Sequence, residues 1–186
     1  MVFEFKGSEN GLMEGIANSI AEEIKRGVLV LPEAIGEGYI KTRLFGPALK
    51  MMILQYELNE DFTLKRKGFV ADSSNEEITF SFRNIGQGIH SKRAVQVSSP
   101  GIDLEIFTPA NTKINTIIIS VNTSFLKELF NKQESHIILQ NIISLDHAYL
   151  YEEMMSPGIQ QVARTAMKRP ARPPMRPWPW SPRRTP

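Results

Sequence analysis

Apolar positions near the start of the chain recur at steps of four. Leu12, Ile16, Ile20 and Ile24 fall on one line, with Met13, Ala17 and Ala21 beside them. This is the spacing of an amphipathic helix that buries one face. Ser8 is placed to cap it and Gly27 to stop it, so the pattern predicts a helix within residues 8–27, weakened in its first turns by Gly11 and Gly15. Between Val28 and Val121 the period drops to two, in short β-rich runs separated by turn residues, a spacing that argues for a sandwich or barrel. Ile78, Phe80 and Phe82 alternate with Thr79, Ser81 and Arg83, as in a half-buried strand. Further strands are read at 28–31, 38–45, 62–66, 95–97 and 102–107, with GEG at Gly36–Gly38 and GQG at Gly86–Gly88 read as turns. Two runs, Leu49–Leu58 and Ile114–Val121, are apolar on both faces, which predicts central strands covered from two sides.

After Val121 the helical period returns. Phe125, Leu126, Leu129 and Phe130 form one stripe behind Asn122, Thr123 and Ser124, any of which could cap; Ile138, Leu139, Ile142 and Ile143 form a second. Such stripes at the end of a β domain predict either an interface between two copies or helices that cover the open face of the β structure. Ser156-Pro157 then starts a helix, with Ser as N-cap and Pro at the first helical position, ahead of Ile159, Val162, Ala163 and Ala166.

The remaining stretch, KRPARPPMRPWPWSPRRTP at 168–186, changes how the charge is read. It holds seven of the 12 prolines, both tryptophans, six of the 22 Lys and Arg residues and no acidic residue. Proline at that density excludes a helix or a central strand, and the composition is that of a disordered tail. The sequence pI of 8.9 therefore belongs to the tail. The rest of the chain carries 16 basic against 20 acidic side chains and lacks the electrostatic footprint of a nucleic-acid-binding surface. No cysteine is present, so there is neither a disulfide framework nor a thiolate metal site, and no run is long and apolar enough to span a membrane. A cytoplasmic protein with no membrane association is the expectation.

Catalytic constellations are missing. His90, His136 and His147 are scattered, with no HxH or HExxH spacing and no carboxylate at ligand distance, so no metal and no cofactor are expected. GxSxG and SxxK are absent, and adjacent Glu152 and Glu153 read as a solvated acidic edge. The expectation is a protein that is not an enzyme. Tyr39, Arg43, Tyr56, Phe80 and Phe82 lie on expected strands and could line a small-molecule pocket at the mouth of a barrel; core packing is the competing reading, above all for Phe80 and Phe82.

The order of elements and the strings PEAIGEGYIKTRLFGPALKMMILQYELNEDFTLKRKG, EEITFSFRNI, VQVSSPGIDLEIFTPANTKINTIIISV, FLKELF and MMSPGIQQVARTAM resemble the N-terminal sensor region of AraC-type transcriptional regulators, particularly those of Bacteroidetes, over residues 1–167. The resemblance implies a mainly β fold with flanking helices (α+β): an N-terminal segment and helix at 1–27, a cupin-like β barrel or jelly roll at 28–121, and a helical interface segment at 122–167 that pairs protomers. It implies an unknown small-molecule effector, helices that pair protomers, and DNA contact only through a C-terminal helix-turn-helix domain; from the two stripes, Phe125, Leu126, Leu129, Ile138, Leu139 and Ile142 are the expected interface of a homodimer. No such domain occurs in this sequence, and Pro-Arg-Trp sequence stands where a helix should continue after Ala166 or Met167. The leading expectation is thus an effector-sensing and dimerisation module, truncated or frameshifted before its DNA-binding half. A free-standing cupin-like small-molecule-binding protein or enzyme is the alternative, and a tail acting as a polyproline II ligand is a third reading.

Overall fold

The computed structural model describes residues 1–6, 9–68, 77–85, 93–99, 101–130 and 149–168. The chain is mainly β, built as two sheets with few helices. The strands are β1 (Val2–Lys6), β2 (Val28–Val30), β3 (Gly36–Leu44), β4 (Leu49–Leu58), β5 (Phe62–Lys67), β6 (Glu77–Phe82), β7 (Ala94–Ser98), β8 (Leu104–Thr108), β9 (Lys113–Asn122) and β10 (Leu150–Met154). The helices are α1 (Glu9–Ser19), α2 (Thr123–Phe130) and α3 (Pro157–Lys168). Seven strands form an antiparallel sheet in the order β10-β7-β6-β9-β4-β3-β2, and three form a smaller sheet in the order β1-β5-β8, in which β1 runs parallel to β5.

The two strands expected to be central are central. β4 pairs with β9 from Leu49↔Val121 to Glu57↔Lys113, and β3 and β6 flank the pair. One face of this sheet carries Ile53, Ile117, Phe80, Phe82, Val95 and Val97, and helices cover it. Leu126 of α2 packs with Ile78, Val97 and Val121, while Ala163 of α3 packs with Ile53, Ile117 and Met155. The other face looks toward the small sheet and α1. On its β2–β4 side it is apolar, with Leu29, Ile40, Met52 and Leu54 packed against Phe5, Leu12, Met13 and Ile16.

Helix caps follow local chemistry. The Asn122 side-chain oxygen accepts from Ser124 N at 2.9 Å to start α2, and Ser156 Oγ accepts from Ile159 N at 3.4 Å ahead of Pro157 in α3. The first helix corrects the sequence expectation, ending at Ser19 and not near Gly27. Glu22 N bonds Ala17 O and Ala21 N bonds Asn18 O while Ala21 adopts φ 54°, the paired bonds of a Schellman stop. Gly27 instead shares a tight turn with Arg26, both at positive φ, in which Lys25 and Val28 exchange backbone bonds. Ile20 and Ile24 still pack against the core, but from irregular chain. Gly15 lets the Phe3 ring lie close to α1, since a Cβ there would lie 2.4 Å from the ring tip and push it aside.

Three further differences concern strands. Residues 36–38 open β3 where a turn was expected. Gly38 has φ 113°, and a Cβ on it would lie 2.2 Å from Gln55 O and 2.6 Å from Tyr56 Cα, so glycine lets β3 lie against β4 here. β1 and β10 were not expected as strands. β1 joins a sheet through distant β5, and β10 is an edge strand whose residues are all exposed, which places Glu152 and Glu153 on a solvated edge.

Two substitutions test these backbone assignments with opposite signs. Ala21→Gly removes the cost of a left-handed alanine and should stabilise the protein by about 0.5–1 kcal/mol. Gly38→Ala meets backbone atoms that cannot yield and should destabilise it by at least about 2 kcal/mol. Urea melts followed by circular dichroism read both.

Candidate functional site

Cross-strand pairing places the polar residues of the large sheet in rows on its inner face. One row runs from Lys50 (β4) through Ser120 (β9) and Thr79 (β6) to Ser98 (β7); the next contains Ser81 and Gln96, and beyond it lies Arg83, whose N–H donates to Ala94 O at 2.9 Å. This face was expected to be the wet side of β6. It is covered instead, and Lys50, Thr79, Ser81, Gln96, Ser98 and Ser120 are all buried. Burying so many polar groups opposes folding unless each finds a partner, so such a concentration marks a site more strongly than any exposed apolar residue would.

The small sheet supplies the opposite wall. Phe5, Leu64, Leu104 and Ile106 face the polar rows, joined by Leu12 of α1, and together with Thr79, Ser81, Arg83, Gln96 and Ser98 they line a cavity of about 50 Å³. That is room for about three or four water-sized groups. The large-sheet wall is mostly polar, with Ile118 of β9 as its aliphatic member, and the small-sheet wall is mostly aliphatic, with Arg66 of β5 as its polar member; a mixed lining of this kind is the usual make-up of a small-molecule site.

Two guanidinium groups border the cavity and are held differently. Arg66, itself 6% exposed, reaches from β5 across the gap. Its Nη2 donates to Ser98 Oγ at 3.3 Å, Ser99 O at 3.0 Å and Ile102 O at 3.4 Å, tying the two sheets together. Arg83 donates from Nη2 to the side-chain oxygen of Gln96. Burial lowers the Arg83 pKa, and the nearby Glu152 carboxylate opposes that shift. At the far end of the row, Lys50 Nζ lies 3.8 Å from Glu77 Oε2, an ion pair outside hydrogen-bond distance in which the Lys50 side chain is 8% exposed.

The five residues expected to line a pocket are distributed over both faces of the large sheet. Tyr39 and Phe82 join the apolar layer beneath α3, Phe80 joins the layer beneath α2, and the half-buried Arg43 pairs in register with Met51 on that same outer face. Tyr39 Oη donates to the Gln55 side-chain oxygen at 2.6 Å. Tyr56 lies on the inner face, in the core with α1, and borders a second, apolar cavity of about 20 Å³. The residues lining the larger cavity were missed because alternation of Thr79, Ser81 and Arg83 with Ile78, Phe80 and Phe82 is also the signature of a solvated face. The available signal was the matching alternation of Gln96 and Ser98 with Val95 and Val97.

Of the expected interface residues, Leu126 is buried beneath α2 and Phe125 packs beside it, whereas Leu129 is 50% exposed. Ile138, Leu139 and Ile142 lie outside the described residues, as do His90, His136, His147, Gly86–Gly88 and residues 169–186. Among the described residues no group of three or more His, Cys, Asp or Glu side chains could hold a metal ion, and no helix is long and apolar enough to cross a membrane.

Burial pushes the Tyr56 phenol up to about 12 from its ordinary 10. The folded chain therefore keeps a proton that the unfolded chain releases above pH 10. This contribution is complete below pH 10 and declines as pH rises through 10–12. Between pH 9 and pH 11 the wild type should lose about 1.3 kcal/mol more than Tyr56→Phe, read from urea melts at the two pH values; equal losses would remove the burial argument. Compared with known proteins, the chain matches no family model, no curated protein and no solved structure.

Proposed function

We propose that this chain is a small-molecule-sensing module of the kind that AraC-type regulators carry, with a cupin-like β body that holds its effector between the two sheets. The observation that carries the reading is the cavity itself. Buried hydroxyl and amide groups of the large sheet, together with the guanidinium groups of Arg66 and Arg83, share about 50 Å³ with aliphatic side chains, and stability alone favours filling such a space with apolar side chains. We read binding without turnover: among the described residues, Ser81 and Thr79 have no histidine or cysteine beside them in the cavity lining, and the carboxylate near Arg83 sits on the exposed edge strand β10. In this reading the module pairs with a second copy, and half-exposed Leu129 on α2 is the described position left to contribute.

The test is a thermal-shift panel of sugars, polyols, amino acids and short organic acids against the full chain. At about 100 times its dissociation constant a ligand adds about 2.7 kcal/mol, a rise of about 5–10 °C in melting temperature for a chain of this size. Ser81→Leu, which fills the cavity from the polar side, should abolish the shift. A panel without any stabilising compound, or a shift that survives Ser81→Leu, defeats the proposal.

A further inference from the structure

The two walls of the cavity specify more than polarity. An occupant must present hydrogen-bonding oxygen toward Ser81, Gln96 and Arg83, and hydrocarbon toward Leu64, Leu104 and Ile106. It must also be small, because about 50 Å³ holds a head of about four or five non-hydrogen atoms. A sugar fits poorly, because a pyranose ring with its hydroxyls has about a dozen non-hydrogen atoms, more than a cavity of about 50 Å³ holds.

Charge narrows the class further. The Arg66 Nη2 group already has three oxygen acceptors and serves to join the sheets. Among the described residues, the Arg83 side chain is seen to donate to Gln96, and a guanidinium carries five N–H donors in a planar fork that matches a carboxylate. Its burial disfavours the charged form, so an anion seated there would relieve a cost already present in the fold. The Glu152 charge close to Arg83 opposes a dianion more than a monoanion.

We infer that the ligand is a short aliphatic monocarboxylate, its carboxylate against the Arg83 guanidinium and the Ser81 hydroxyl and its alkyl chain under Leu64, Leu104 and Ile106. The assignment rests on the sensing proposal above and adds the ligand class and the residue that selects it.

The experiment titrates the full chain by calorimetry with acetate, propionate, the neutral isostere propionamide and inorganic phosphate, alongside the panel already described. Acetate or propionate should bind, and propionamide should bind at least about tenfold more weakly than propionate. Arg83→Gln should reduce carboxylate affinity to the level of the amide, while Arg83→Lys keeps part of it. The acid-against-amide comparison needs no variant, so it stands even where Arg83→Gln fails to fold. Equal affinities for propionate and propionamide, undiminished binding by Arg83→Gln, or binding of phosphate in preference to both acids overturns the inference. A sugar or polyol that binds while the acids do not also overturns it and leaves the sensing proposal intact. If nothing in the panel binds, both fall.

Discussion

The register of β6 against β9 is the constraint on which the rest of this structure depends. Ile78 stands opposite Val121 and Phe82 opposite Ile117, so Phe80 and Phe82 turn toward the helices while Thr79 and Ser81 turn toward the small sheet. A slip of one residue would exchange the two sets. The aromatic rings would fill the cavity, and the hydroxyls would meet the apolar sides of α2 and α3. Both faces of β9 are buried around this register, with Ile117 and Val121 outward and Ser120 inward, so neither face would tolerate the exchange.

The large sheet thus supports two interiors of unlike character. Its outer face, with α2 and α3 on it, is apolar and close to what hydrophobic burial alone would build. Its inner face is apolar on the β2–β4 side and carries its polar rows toward β6 and β7. Arg66 stands at the division. Its three contacts to residues 98–102 hold the small sheet over the polar rows, and its charge is brought indoors to do so. An arginine that joins two sheets in this way suits a wall that must stay in place around a cavity, because its rigid fork satisfies several acceptors at once.

Sequence patterning was most informative where one physical signal acted alone. The two-sided apolar runs of β4 and β9 pointed to central strands, and Ser156-Pro157 ahead of a helical stripe pointed to a helix start. It was least informative where local and distant effects compete. Steps of four from Leu12 to Ile24 continue past Ser19, but hydrogen bonds around Ala21 end the helix, and the last two isoleucines reach the core from irregular chain. β1 depends on pairing with residues about 60 positions away, which no local pattern encodes, and β10 forms only because β7 offers it an edge.

The sequence by itself determined the mainly β character, the central strands, the cap of α3 and the acidic edge, because each follows from side-chain periodicity or from hydrogen bonds between near neighbours. Tertiary structure alone decided which polar face is wet. Thr79, Ser81, Gln96 and Ser98 alternate with apolar residues in the same way whether water or another sheet lies over them. What covers them is the strand pair β5–β8, delivered by long-range pairing and anchored through Arg66.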